Sequence, residues 1–221
     1  VTSENGSRKI AATLTDEGRA LLDKGDFEGA IHKFALAFKF LGDVVTVPEL
    51  SHLNGISLRL KGDFVAAELN LQEAIRAYES RNDPSGAART KRDLAMVYLD
   101  QGNYTAAGHW ISVSIDELRL LGNVLEAAVS WGFDGRLKYL IGDYVGAAEA
   151  YEAADRILRN ESNRVYELNN LAWYLKLDLD KKKRRVYGRR ARRLAIQTRN
   201  WPRFVQVAML SFAPSIGRKI G

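Results

Sequence analysis

The 221-residue chain contains no cysteine. That excludes a disulfide scaffold, thiolate metal sites and a cysteine nucleophile, and it fits a reducing, cytoplasmic setting. Only four prolines occur, and Pro48 and Pro84 stand where they would open helices. No apolar run approaches the ~18–20 residues that cross a bilayer, so no transmembrane segment is expected. No signal-peptide pattern is visible. Acid is missing from one end: after Asp180 no Asp or Glu occurs. Residues 1–180 carry 20 Lys+Arg against 27 Asp+Glu, whereas residues 181–221 carry 13 basic residues and no acid. The formal charge of +6 is thus an acidic body joined to a basic end. Asymmetry of this kind often marks an interaction surface.

What is present is a repeat. Gly-Asp/Asn-aromatic-x-x-Ala recurs four times, at Gly25-Asp26-Phe27 with Ala30, Gly62-Asp63-Phe64 with Ala67, Gly102-Asn103-Tyr104 with Ala107, and Gly142-Asp143-Tyr144 with Ala147. Seven residues before each turn glycine stands a small residue, namely Gly18, Gly55, Ala95 and Gly135. Nine residues after it stands a bulky apolar one, Phe34, Leu71, Ile111 or Tyr151, and twelve after it Ala37, Ala74, Ser114 or Ala154. Apolar positions three and four apart on both flanks predict helices. Small residues let two helices approach, and the bulky residue fills the space beside them. Gly-Asp/Asn ends one helix in a left-handed cap and turns the chain into the next. A second turn element, Gly42-Asp43, Asn82-Asp83 and Gly122-Asn123, separates successive pairs.

This pattern resembles the tetratricopeptide repeat (TPR) family, most fully in the fourth unit with Trp131, Gly135, Gly142, Tyr144, Ala147, Tyr151 and Ala154. Its units of about 40 residues are longer than the usual 34 of the family, and are similar to those of bacterial regulators and kinesin light chains. The expected fold is all-α, a right-handed superhelical solenoid of about five antiparallel helix pairs plus a C-terminal helix. Its units would be 10–42, 43–82, 83–122, 123–160 and 161–200. Residues 1–9 would form a loose leading segment, and residues 201–221 a capping helix and tail. The fifth unit is degenerate, with Leu168, Ala172 and Leu175 on its first helix and Tyr187, Ala191, Leu194 and Thr198 on its second. On the last helix, Phe204, Val205, Val207, Ala208 and Leu210 would cap the solenoid or join two copies.

Enzyme signatures are missing. No glycine-rich phosphate loop occurs, the carboxylates are scattered, and His32 and His109 fall on equivalent faces of separate units, too far apart to share a metal. No catalytic residue, metal or cofactor is expected.

The resemblance implies that the first helices line a concave face that binds peptides, with positions about 13, 10, 6 and 3 before the turn glycine facing it. Those positions hold Arg19 and Leu22, then Glu49, His52, Ile56 and Arg59, then Arg89, Arg92, Met96 and Leu99, then Arg136 and Tyr139, and finally Tyr166, Asn169, Trp173 and Lys176. Six cations against one acid, with aromatics beside them, suit an acidic or carboxylate-bearing peptide. The Lys/Asn/Lys/Arg clamp of chaperone-binding relatives is not recognisable, since its places hold Thr15, Arg19, Leu53 and Asp93, and Arg89 alone could carry over. An adaptor or scaffold for protein partners is the expected function. The alternative lies in residues 181–193, nine basic residues in thirteen, where Lys182, Arg185, Arg189, Arg190, Arg192 and Arg193 would fan over the exposed side. They would meet nucleic acid, another polyanion, or the acidic body of a partner or second copy.

Overall fold

The computed structural model describes residues 2–42, 47–160, 163–177 and 180–212. These form eleven helices and no strand. The chain divides into two compact units, Val1–Leu121 and Gly122–Gly221. The N-terminal unit holds α1 (Thr2–Asp23), α2 (Phe27–Leu41), α3 (Pro48–Lys61), α4 (Phe64–Ser80), α5 (Pro84–Asp100) and α6 (Tyr104–Leu120). The C-terminal unit holds α7 (Val124–Leu140), α8 (Tyr144–Asn160), α9 (Arg164–Tyr174), α10 (Lys181–Gln197) and α11 (Trp201–Phe212). Each odd-numbered helix up to α9 packs against its successor, and within each unit the pairs stack in chain order.

The repeated motif makes both ends of each turn. Gly25, Gly62, Gly102 and Gly142 adopt positive φ of 77° to 94°, which a side chain would strain. The next residue then caps the following helix: Asp26 accepts from Gly29 N at 2.9 Å, Asp63 from Ala66 N at 3.2 Å, Asn103 from Ala106 N at 3.1 Å and Asp143 from Gly146 N at 2.9 Å. The turns between pairs use the same device. Asp83 and Asn123 cap α5 and α7 after the left-handed residues Asn82 and Gly122. Asp43, assigned to a turn from the sequence, lies outside the described residues.

Between these turns the small residues act as spacers. A Cβ on Gly18 would lie 2.4 Å from the Phe34 ring, and one on Gly135 would lie 2.6 Å from the Tyr151 ring. Phe34, Leu71, Ile111 and Tyr151 are all buried at the centres of their pairs.

Two boundaries differ from the sequence expectation. Residues 2–9 are not a loose leader; they are the first turns of α1, because no proline interrupts the helix before Ala11 docks in the core. The last helix is more than a cap. Arg199 takes the left-handed conformation at φ 52°, and Asn200 accepts from Arg203 N at 3.1 Å, reproducing the turn that precedes α5 and α7. α11 then packs on both α10 and α9, as α9 packs on α8 and α7. It therefore occupies the place of a first helix of one more pair. Val207 is buried with Phe204 and Leu210 packed beside it, while Trp201, Val205 and Met209 remain exposed.

Candidate functional site

In the N-terminal unit three of the residues expected to face a partner, Arg19, His52 and Arg59, are engaged by the protein itself. Arg19 pairs with Glu49, His52 with Asp93 at 2.7 Å, and Arg59 with Asp100. Each link joins the first helix of one pair to that of the next, so α1, α3 and α5 are tied by an ion-pair ladder. Burial works to raise the Asp93 carboxyl pKa, but the Arg92 charge and the His52 hydrogen bond outweigh it, holding the group at about 2. His52 also lies edge-on to Tyr78.

Three residues assigned to the binding face are not on a surface at all. Met96 is fully buried and Arg92 nearly so, because α5 is enclosed by α3, α4 and α6 within its own unit. Leu99 is buried with them. Arg89 is half-buried, and its Nε has no hydrogen-bond partner among the described residues.

The ladder was traceable in principle. Its two acids on α5, Asp93 and Asp100, stand nine and two residues before Gly102, on a stripe neighbouring the one read from the resemblance. The same two places before Gly142 hold Phe133 and Leu140. The residues that cancel charge in the N-terminal unit thus give way to apolar ones in the C-terminal unit.

The consequence is a cleft of about 210 Å³ between α7, α9 and α11. Phe133 and Arg136 from α7, Tyr166, Asn169, Asn170 and Trp173 from α9, and Arg203 from α11 line it; no acidic residue does among the described residues. Four of these, Arg136, Tyr166, Asn169 and Trp173, are positions that the sequence assigned to a binding face. Trp173 is the hub. Lys176 Nζ sits 3.5 Å from its ring centroid, Arg136 Cζ lies 5.4 Å from it, and Tyr139 meets it edge-on at 5.7 Å. Both cations gain from the negative face of the indole. Arg203, which the sequence reading left in a capping helix, donates from Nη2 to Asn169 at 2.8 Å and from Nη1 to Gln206. Its signal was the turn Arg199-Asn200, which starts a helix in the register of the earlier pairs.

The electrostatics follow from crowding. Burial, and then the charges of Arg203 and Arg136, push the Lys176 pKa below its ordinary value. Burial does the same to Arg203. A cleft with gathered cations, aromatic walls and no carboxylate in its lining favours an anion with apolar flanks.

The basic helix α10 divides its charges between two tasks. Arg190 is not available to a polyanion: it forks onto Asp155, at 2.9 and 3.0 Å, and onto Glu167, both of them buried. Burial acts to lower its pKa, but the two carboxylates raise it overall. Lys183 pairs with Glu152, and Arg184 donates to the Leu210 carbonyl. Arg192 is half-buried. Lys182, Arg185, Arg189 and Arg193 are exposed and form no ion pair among the described residues. The sequence reading placed all six assigned cations on one outer face; the structure puts Arg190 into the fold instead, because Glu167 would otherwise be buried without a counter-charge and Asp155 would keep only the half-exposed Arg159, 2.8 Å away. No helix among the described residues is long and apolar enough to cross a membrane.

No protein-family model matches the chain, and no curated protein matches its sequence. Solved structures do match. BtubC (BKLC) from P. vanneervenii is similar over 100% of this chain and 93% of its own, at 18% identity and a TM-score of 0.63. Nearly identical TPR-like repeats of kinesin-light-chain type from Podosopora anserina match 92% of this chain and 95% of theirs, at 12% identity and a TM-score of 0.58. The chain has the TPR-like helical-repeat fold.

Proposed function

We propose that this chain is a protein-interaction scaffold whose C-terminal unit captures an acidic or carboxylate-bearing peptide segment. The observation that carries the reading is the contrast between the two units. Where Arg19, His52 and Arg59 on α1 and α3 are paired with acids of the neighbouring first helices, α7, α9 and α11 place Arg136, Arg203 and Trp173 in a cleft with no acid among its described lining residues, and Lys176 stacks on Trp173 beside it. Guanidinium groups fork onto carboxylates, and the aromatic wall shelters those hydrogen bonds from water. The peptide-facing residues are accordingly Arg136, Tyr139, Asn169, Trp173, Lys176 and Arg203, with no catalytic role or cofactor.

The test is titration of fluorescein-labelled acidic nonapeptides, alternating Glu with Leu, against the protein and its Arg203→Glu variant. The expected result is saturable binding that weakens at least about 100-fold in the variant, as for a charged contact turned repulsive. Equal binding by both proteins would remove Arg203, and with it this cleft, from recognition.

A second reading rests on Lys182, Arg185, Arg189 and Arg193, which are exposed on α10 and lie three and four residues apart. Steps of four residues advance about 6 Å along a helix, so these cations could follow a nucleic-acid backbone. A gel-shift experiment at low salt that finds no complex with RNA or DNA would eliminate it.

A further inference from the structure

The charge in the cleft exceeds what one carboxylate cancels. Arg203 donates to Asn169 and Gln206, both neutral acceptors, so its positive charge persists. Lys176 rests on the Trp173 ring, and neither it nor Arg203 forms an ion pair among the described residues. The Arg136 guanidinium lies over the same ring and lines the same cleft as Arg203. Mutual repulsion among the three shows in the lowered Lys176 pKa, to which burial contributes most. A carboxylate supplies a single negative charge. A phosphomonoester supplies about −1.5 to −2 near neutral pH and three strong acceptor oxygens. Two cations with no ion pair among the described residues, with a third guanidinium beside them, match the second anion better than the first.

Resting on the reading that the cleft takes an acidic segment, we propose that its preferred anion is a phosphomonoester, carried on a phosphorylated side chain of the partner segment. Arg203 and Arg136 approach the phosphate oxygens as forked donors, and Lys176 contributes a point charge from the Trp173 side. Trp173 and Phe133 flank the group and lower the local dielectric, which strengthens each contact. No covalent step is involved. The segment is held only while it carries the phosphate, so the cleft would read the partner's modification state.

The experiment uses the full chain and three labelled nonapeptides identical except for the central residue, phosphoserine, Glu or Ser. Anisotropy is read at pH 7 and pH 5. At pH 7 the phosphopeptide should bind about tenfold or more tightly than the Glu peptide, and the Ser peptide more weakly than either. At pH 5 the phosphate has lost most of its second charge and the advantage should shrink. Among the described residues no histidine or carboxylate lines the cleft, so this change reads the phosphate rather than the protein. Lys176→Met, which keeps an apolar stem on Trp173, should reduce the preference at pH 7 to within about threefold. Inorganic phosphate should displace the phosphopeptide only at concentrations well above the peptide's own.

A Glu peptide that binds as well as the phosphopeptide would overturn the phosphate assignment and leave the acidic-segment reading standing. A preference unchanged between pH 7 and pH 5, or unchanged by Lys176→Met, would overturn it too. Displacement by inorganic phosphate at the peptide's own concentration would show a site for free phosphate, not for a partner segment. Binding of neither charged peptide would overturn both readings at once.

Discussion

Gly132 and Gly135 stand three residues apart on α7, yet they answer differently to an added methyl. A Cβ at Gly135 would press to 2.6 Å on the Tyr151 ring, which is buried and cannot swing away, whereas one at Gly132 would meet only Asn170 Oδ1 at 3.4 Å. Gly135→Val is therefore expected to destabilise the protein by about 1–3 kcal/mol through overpacking. Gly132→Ala should be neutral or stabilise by up to about 1 kcal/mol, since alanine is the better helix former. Urea midpoints of the two variants check both signs. Asp93 makes another prediction at this scale. Its folded pKa, about 2, lies below the ordinary 3.8. A lowered carboxyl pKa stabilises the folded state fully above the unfolded value, and the benefit is lost as pH falls through the folded one. The contribution is about 2 kcal/mol by linkage, disappearing between roughly pH 4 and pH 2. Thermal unfolding from pH 5 to pH 2 should show this slope, and Asp93→Asn should flatten it. If the slope persists unchanged in Asp93→Asn, other carboxylates are responsible.

Helix α10 is bound to its unit by a buried charge cluster as well as by packing. Arg190 is the cation between Asp155 and Glu167, whose side chains are only 4% and 6% exposed. Removing it would leave Glu167 with no ion pair among the described residues and Asp155 with Arg159 alone. Arg190→Met is expected to cost about 3–5 kcal/mol. Arg189→Ala, one residue away on the exposed side, should stay within about 0.5 kcal/mol. Chemical denaturation of the pair separates them, and similar losses would contradict the role given to Arg190. From the sequence these two arginines were indistinguishable members of one basic run. Their difference depends on which residues of α8 and α9 face α10, and no local spacing encodes that. Capping was readable for the opposite reason. Asp26, Asp63, Asn103 and Asp143 act on amides three residues away in their own chain segment, so the motif carries its full meaning locally. Arg199-Asn200 makes the same turn without a glycine, and its disguise concealed the true register of α11.

Across the molecule, the pattern of cations on the first helices was visible in the sequence, but their availability was not. Arg19, His52 and Arg59 are matched by acids 30 and 41 residues further on, pairings that exist only once the repeats are stacked. In the C-terminal unit no such acids intervene in the lining of the cleft, and its cations stay gathered. The exposed part of α10 is a separate reserve of positive charge. If it meets nucleic acid, replacing Arg185, Arg189 and Arg193 with Gln should reduce the slope of log affinity against log salt by about 2–3. A slope unchanged in that triple variant would place any such contact elsewhere.

The stacking of Lys176 and Arg136 on Trp173 has an optical consequence. Cations held over an indole ring bias its excited-state dipole, and an anion that draws them off the ring relaxes that bias. The cleft thus contains its own chromophore. Its emission should shift on occupancy without any attached dye, and Trp173→Phe should remove that shift while Trp201, exposed at the start of α11, continues to report the solvent.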